Sequence, residues 1–211
     1  ITIPFKSEVM HFLDRFDAIS EKIGAVNTVV NEKGRLMGFN TDSNAAISVL
    51  EKRLRLHNKK IALIGAGGAG RAIAFAAIEK GASVLIIDKD GEKASALAKD
   101  CSGTVVKMDE LQKISIDILI TATPIGMHPN VNEMPVSKNV LKKDVVVFDI
   151  IYNPLETKLL KEAKKMGCKT VPGYEMFALQ AAKQFELWTG TRVPVEFVKE
   201  LTLTELKKGI K

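Results

Sequence analysis

The chain has 211 residues, of which 46% are hydrophobic and 27% are charged, and its formal net charge is +6. This length and composition allow one large domain or two small ones with a buried core, and they exclude disordered and fibrous proteins. The lysines are scattered and are not interleaved with aromatic residues, so we expect a solvated basic surface and no nucleic-acid groove. The same charge also fits a basic cleft that attracts phosphates and carboxylates.

Cysteine and histidine usage gives no sign of a metal site or a nucleophile. Cys101 and Cys168 lack CxxC or metal-ligand spacing, so we expect reduced thiols, a cytoplasmic protein and no bound metal. The three histidines have no Ser or Cys partner in a nucleophile motif. Lys6, Glu8 and Asp14 argue against a signal peptide, and no apolar run approaches the roughly 18 residues of a membrane span. We therefore predict a soluble protein.

The first 55 residues are predicted to form a partial α/β substrate domain. The predicted elements, in chain order, are a strand end at 1–3, a helix over 7–22, a hairpin over 25–40 with its turn at 32–34, and a helix over 41–54. A polar linker is expected over 53–59.

Residues 59–172 alternate between strand and helix signals. Strands are predicted at 60–64, 83–87, 104–106, 117–121, 145–149 and 169–171, with helices up to residue 80, over 92–99 and over 157–166. This alternation predicts a doubly wound parallel sheet of the Rossmann type. Residues 173–211 are predicted to be helical and to pack back on the substrate domain, closing a cleft.

A glycine-rich loop follows the first strand of that region. Gly65 permits a tight turn, Gly67 allows a pyrophosphate to approach the backbone, and Gly70 allows the next helix to pack close to the strand. The amides at the start of the helix would face the phosphates. The strand–loop–helix context favours a dinucleotide site over the alternative, a glycine-rich turn without a ligand.

A lysine and an aspartate are the best candidates for chemistry at the carboxyl ends of the strands. Lys6 follows Pro4, which would stiffen the backbone and fix the direction of the ammonium. Asp42 lies at a predicted helix start, where a capping role is the alternative to a catalytic one, and spacing alone favours the cap.

Seven segments occur in the order found in shikimate dehydrogenases, and the chain resembles this family over nearly its whole length. They are 2–6, 23–28, 38–42, the loop beginning at Gly65, 123–127, 149–154 and 173–180. Within the last segment, Glu175–Phe177 and Gln180 are most similar to the dehydrogenase half of bifunctional 3-dehydroquinate dehydratase/shikimate dehydrogenases. This similarity leaves open a fused or separate dehydratase domain as a partner.

The resemblance implies reversible NADPH-dependent reduction of 3-dehydroshikimate to shikimate, a step of aromatic amino acid biosynthesis. It implies that Lys6 and Asp42 are the catalytic pair, with the lysine stabilising the developing alkoxide and delivering its proton. The implied substrate-binding residues are Thr2, Asn27, Tyr152 and Gln180. The implied cofactor-binding residues are Gly65, Ala66, Gly67, Gly68, Ala69, Asp88, Lys89, Lys93, Thr121, Ala122, Thr123, Gly173 and Met176.

The sequence departs from the family after its second nucleotide-domain strand. Family members usually carry arginines there that bind the 2′-phosphate of NADP, whereas this chain has Lys89 and Lys93. Asp88 is the residue type with which NAD enzymes bind the ribose 2′-hydroxyl. The resemblance favours NADP, and NAD remains an alternative because of Asp88.

The second departure concerns the substrate domain. Family members have an earlier segment with a Ser-x-Ser pair for the substrate carboxylate, and this sequence has no match for it. The alternatives are therefore a dehydrogenase, a non-catalytic dinucleotide-binding fragment, or a dehydrogenase for quinate or an aminoshikimate. We also expect an exposed edge near residues 1–3 and self-association, with monomer and homodimer both open.

Overall fold

The computed structural model describes residues 1–208, and its first part forms a three-stranded sheet. Its elements are β1 (Arg15–Phe16), α1 (Ala18–Ile23), β2 (Thr28–Glu32), β3 (Arg35–Phe39) and α2 (Asp42–Glu51). The strand order is β1-β3-β2, with β1 parallel and β2 antiparallel to β3. Lys33 and Gly34 form the hairpin turn with φ of 53° and 90°, as a two-residue turn between twisted strands requires. The predicted hairpin is confirmed.

The predicted helix over 7–22 is wrong. The chain forms a short 3-10 helix at Glu8–Phe12 and then becomes extended, because Asp14 and β3 exchange hydrogen bonds. The backbone N–H of Asp14 donates to the Leu36 carbonyl at 3.0 Å, and the Asp14 carboxylate accepts from the Leu36 N–H at 2.7 Å. Pairing with a strand distant in sequence thus overrides the local helical pattern.

Residues 1–3 do not form the predicted strand end. The chain turns there, with the N–H of Phe5 donating to the Thr2 carbonyl at 2.9 Å. Ile1, Ile3 and Phe5 are exposed. The sheet edge expected at this place is therefore replaced by an exposed apolar turn.

The second part forms a six-stranded parallel sheet with helices on both faces. Its strands are β4 (Lys60–Ile64), β5 (Ser83–Ile87), β6 (Thr104–Val105), β7 (Ile118–Thr121), β8 (Val146–Asp149) and β9 (Lys169–Pro172). Its helices are α3 (Gly68–Glu79), α4 (Gly91–Cys101) and α5 (Lys158–Lys165). The central strands β7 and β8 are wholly buried and β4 is buried beyond its first residue, as expected for a sheet covered on both faces, whereas the edge strand β6 is exposed. The predicted doubly wound fold is confirmed.

The strand order places a crevice beside the glycine loop. The order is β6-β5-β4-β7-β8-β9, so the chain proceeds outward from β4 in one direction and then from β7 in the other. Ligands of such sheets bind outside the carboxyl ends of the strands at the point of reversal, which here lies between β4 and β7. The glycine loop follows β4 and residues 122–123 follow β7.

Two C-terminal helices return to the first part of the chain. They are α6 (Gly173–Thr189) and α7 (Val195–Lys208). Gln184 in α6 donates to Thr28 Oγ1 at 3.0 Å, and the Trp188 ring N–H donates to the Val29 carbonyl at 3.1 Å. One apolar core includes residues from both parts, such as Leu50 of α2 and Leu63 of β4. The division into domains at 1–55, 59–172 and 173–211 stays a prediction, and residues 209–211 lie outside the described part.

The described residues contain neither a membrane-spanning helix nor a cluster of metal ligands. Over residues 1–208, no helix combines the length and the apolar character that crossing a bilayer needs. In the same part of the chain, no three His, Cys, Asp or Glu side chains are grouped so as to hold a metal ion.

Candidate active site

A buried ion pair joins the two residues predicted to be catalytic. Lys6 Nζ lies 2.5 Å from Asp42 Oδ2, and the two side chains are 13% and 6% exposed. The backbone of Lys6 is held as well, because its carbonyl accepts from the Val26 N–H at 2.7 Å. The lysine ammonium and the carboxylate therefore form a fixed, largely desolvated pair, in which a charge-assisted hydrogen bond is strong.

Asp42 does not cap α2, so the assignment favoured by spacing alone is wrong. Asn40 takes that role: its Oδ1 accepts from the N–H groups of Asp42 at 3.1 Å and Ser43 at 3.3 Å. Asn40 is itself fixed, since its amide donates to the Ala25 carbonyl at 2.9 Å. The Asp42 carboxylate is thereby free to bind Lys6, at a helix N-terminus that favours negative charge.

Thr41 connects the ion pair to two predicted substrate-binding residues. Asn27 donates from its amide to Thr41 Oγ1 at 3.0 Å and accepts from the Thr41 N–H at 3.0 Å. Thr41 Oγ1 also lies 3.5 Å from Gln180 Oε1, which brings α6 to the same place. Asn27 and Gln180 thus lie in one polar network beside Asp42.

Tyr152 reaches this network through an aromatic contact. Its ring lies 4.5 Å from that of Phe177, centroid to centroid, and the Phe177 carbonyl accepts from the Gln180 amide at 3.1 Å. Tyr152 is half-exposed on the loop after β8. Thr2 is exposed in the turn that precedes Lys6, and among the residues that the structure describes no contact of its side chain places it in the network. Its predicted role rests on the resemblance alone.

Three polar residues of this network are not among the predicted site residues. Asn40 and Thr41 precede Asp42 directly, and the run Asn-Thr-Asp predicts a helix start in which Asp42 alone is a candidate for chemistry. Gln184, one turn beyond Gln180 in α6, donates to Thr28. Its spacing of four residues from Gln180 is the available signal, because such residues share a helix face.

Each of the three glycines of the loop has the surroundings that its predicted role requires. Gly65 has a φ of 108°, and a Cβ there would lie 2.5 Å from the Ala122 carbonyl oxygen. A Cβ on Gly70 would lie 1.9 Å from the Gly65 carbonyl oxygen, so α3 packs directly on the loop. A Cβ on Gly67 would meet no atom within 4 Å among the described residues. The loop is therefore tightly packed on the sheet side and open at Gly67, where a pyrophosphate could approach.

Five of the predicted cofactor residues outside the loop lie after β7 or at the start of α6. Thr121 ends β7 and is buried, and Ala122 and Thr123 follow it at the crevice. Gly173 begins α6, where a Cβ would lie 2.3 Å from the Ile150 carbonyl oxygen, and Met176 is buried one turn later. Gly173 therefore has a packing role, and the cofactor contacts of all five residues stay predictions.

Asp88 connects the glycine loop with the start of α4. Its Oδ2 accepts from the Ala66 N–H at 2.7 Å and its Oδ1 accepts from the Asp90 N–H at 2.9 Å. Asp90 caps α4 by accepting from the amides of residues 92 and 93, and it lies 3.5 Å from Lys93 Nζ. Lys89 and Lys93 are exposed beside it. The edge where the adenosine ribose of a dinucleotide would lie thus carries both signs of charge.

A second buried carboxylate lies at the carboxyl end of β8. Asp149 is fully buried, and burial raises the pKa of this carboxyl. Its oxygens accept from the Thr157 hydroxyl at 2.7 Å and from the Ile151 N–H at 3.3 Å. Asp149 thereby holds the loop that carries Tyr152 and joins it to the N-terminus of α5, which Thr157 caps.

Three family models match consecutive parts of the chain. The substrate binding domain of shikimate dehydrogenase matches residues 1–29, shikimate/quinate 5-dehydrogenase matches residues 48–165, and the C-terminal domain of shikimate 5′-dehydrogenase matches residues 173–202. More than half of the chain is thus matched by the second model alone.

Individual relatives agree with these models. A shikimate dehydrogenase (NADP(+)) of Methanocaldococcus jannaschii is 42% identical, with 99% of this chain and 77% of that protein covered. A crystal structure of a shikimate dehydrogenase in complex with NADP+ is 41% identical, with a TM-score of 0.91 over 97% of this chain and 75% of that one. The structure of the Thermus thermophilus enzyme in complex with NADP(H) and shikimate is 34% identical. Its TM-score is 0.88, with 96% of this chain and 77% of that chain covered.

Proposed function

Since this chain belongs to the shikimate dehydrogenase family, we propose that it catalyses the reversible NADP-dependent oxidation of shikimate to 3-dehydroshikimate. The observation that carries the proposal is the Lys6–Asp42 pair, 2.5 Å apart, beside the crevice between β4 and β7. Interconversion of an alcohol and a ketone requires a proton to be added to or removed from the substrate oxygen. The Lys6 ammonium can donate this proton, and the Asp42 carboxylate can accept one.

The side chains around the pair suit a ring with several hydroxyl groups. In the reducing direction, the Lys6 ammonium stabilises the negative charge that develops on the carbonyl oxygen and donates a proton to it. Asp42 orients the ammonium and can accept a hydrogen bond from a neighbouring hydroxyl. Asn27, Gln180 and Tyr152 offer neutral donors and acceptors that fix the ring without adding charge.

The glycine loop fits a dinucleotide. The space at Gly67 admits a pyrophosphate, and the first amides of α3 have no partners inside the helix and so can donate to it. When bound, NADP supplies the acceptor for the hydride of the alcohol carbon. Ala122 and Thr123 border the same crevice from β7.

We assign the 2′-phosphate of NADP to Lys89 and Lys93. Both are exposed, and the Lys93–Asp90 pair is exposed enough to be worth little, so a phosphate can displace it. The oxygens of Asp88 already accept from two backbone amides. Asp88 therefore has a loop-fixing role that does not depend on which cofactor binds.

The test is the near-ultraviolet absorbance of reduced nicotinamide after the chain is mixed with shikimate and NADP, and separately with NAD. We expect absorbance to rise with NADP. A rise with NAD alone would overturn the cofactor assignment and give the ribose site to Asp88. No rise with either cofactor, in protein that binds NADP, would overturn the activity and favour a non-catalytic binding fragment.

Quinate is the matched control substrate, because the family model that covers most of this chain is that of shikimate/quinate 5-dehydrogenase. We expect a lower kcat/KM with quinate than with shikimate. A dehydratase partner, the oligomeric state and a cytoplasmic location stay predictions.

A further inference from the structure

The stem of Lys6 lies across the start of α3, directly over Gly68. A Cβ built on Gly68 would lie 2.9 Å from Lys6 Cβ, 3.2 Å from Cδ and 3.5 Å from Cγ. The backbone of Gly68 is not in the left-handed region, since its φ is not positive. The absence of a side chain at this position is therefore explained by the lysine above it and not by the conformation of the loop.

The lysine cannot admit a side chain at position 68 without a displacement of its stem or backbone. Its carbonyl oxygen is held by the Val26 N–H at 2.7 Å, and its Nζ is held by Asp42 at 2.5 Å. The contact at 2.9 Å involves Lys6 Cβ, which rotation about the side-chain bonds does not displace from the backbone. A shift at the middle of the stem must therefore be passed to one of the two held ends.

Helix α3 is held in place as well. Arg71, one turn after Gly68, donates from Nε to the Ile23 carbonyl at 2.7 Å and from Nη2 to Asp100 at 2.9 Å. Ile23 belongs to the same short segment, residues 23–26, that holds the Lys6 carbonyl through Val26. Lys6 and α3 are thus attached to one segment, which fixes the distance between them.

We infer that Gly68 is a positioning residue for Lys6, by which the cofactor loop sets the place of the lysine ammonium. This role is distinct from the predicted contact of Gly68 with the cofactor. It rests on the proposed function, because the lysine must act on the substrate for the contact to affect turnover. Among the loop glycines, Gly67 has the opposite surroundings, since a Cβ there meets open space.

The test compares Gly68→Ala with Gly67→Ala. For Gly68→Ala we expect kcat for shikimate oxidation to fall by about 10- to 100-fold while the KM for NADP changes by less than about 3-fold, since a displacement of about 1 Å at a catalytic group is that costly. For Gly67→Ala we expect the KM for NADP to rise more than kcat falls. The inference would be overturned if kcat of Gly68→Ala equalled that of the parent chain. It would also be overturned if the two variants showed the same changes in kcat and in the KM for NADP.

A measurement without turnover separates this inference from the proposed function. We would compare the rates at which trace acetic anhydride acetylates Lys6, read by peptide mass spectrometry, in the parent chain and both variants. We expect faster acetylation of Lys6 in Gly68→Ala and no change in Gly67→Ala, because only the former disturbs the ion pair. An unchanged rate in Gly68→Ala contradicts the positioning role even if the chain has no dehydrogenase activity.

A double variant covers the case in which Gly68→Ala does not fold. Lys6→Gly removes the three atoms that lie nearest to a Cβ at position 68. We expect Gly68→Ala to lower the Tm less in the Lys6→Gly background than in the parent chain, a comparison that cancels the cost of losing the Lys6–Asp42 pair. If Gly68→Ala lowers the Tm equally in both backgrounds, the lysine stem is not what forbids a side chain at this position.

Discussion

At the residue scale, the buried carboxylate of Asp149 makes a pH-dependent contribution to stability. Because burial raises its pKa, the native chain keeps this proton at pH values where the unfolded chain has released it. The free energy of unfolding then falls as the pH rises from the ordinary pKa to the raised one. For Asp149→Asn we expect the free energy of unfolding, relative to the parent chain, to increase as the pH rises above the ordinary pKa of an aspartate, about 4.

Urea unfolding at a series of pH values measures this difference. Asp109→Asn, in an exposed segment, is the control for the loss of one carboxylate. A difference for Asp149→Asn that stays constant or decreases with pH would show that the buried carboxyl does not titrate as its surroundings imply.

At the element scale, the start of α2 depends on Asn40. Its Oδ1 accepts from two amides of the helix, and its amide fills the hydrogen-bonding need of the buried Ala25 carbonyl. Asn40→Ala removes all three bonds, so we expect the free energy of unfolding to fall by about 2 kcal/mol. Chemical denaturation measures it, with Asn44→Ala on the exposed face of α2 as the control. A loss no larger than that of the control would contradict the capping role.

The same elements show what the sequence could and could not predict. The strand Lys60–Ile64 and the loop from Gly65 to Gly70 were predictable because the turn, the open face and the helix packing all depend on nearby residues. The helix over 7–22 was predicted wrongly, since the extended conformation at Asp14 depends on a bond to Leu36.

The candidate site shows the same limit. The Asn-Thr-Asp run at the start of α2 contains both the residue that caps the helix and the residue that pairs with Lys6, and only the fold shows that these are Asn40 and Asp42. The contact of Gly68 with Lys6 joins two segments whose sequences carry no sign of each other.

At the scale of the whole molecule, the two sheets are held in a fixed relation on either side of the candidate site. Arg71 joins α3 to the end of α1, and Arg53 after α2 lies 2.6 Å from Glu175 in α6. Both residues of the second pair are largely buried, so removing one would leave the other without its partner charge. Lys6 and Asp42 come from the first part of the chain and the glycine loop from the second. The molecule therefore builds its site only when both parts are folded against each other.

The measurement that tests the central claim most directly is turnover of shikimate by Lys6→Ala, made together with the Kd for NADP. We expect turnover to fall by about 100-fold or more, as for loss of a general acid, with a Kd within about 3-fold of that of the parent chain. Lys99→Ala, exposed in α4, is the control for removing a lysine. Turnover near that of the parent chain would show that the Lys6–Asp42 pair does not carry the proton, and the account of the site would be wrong.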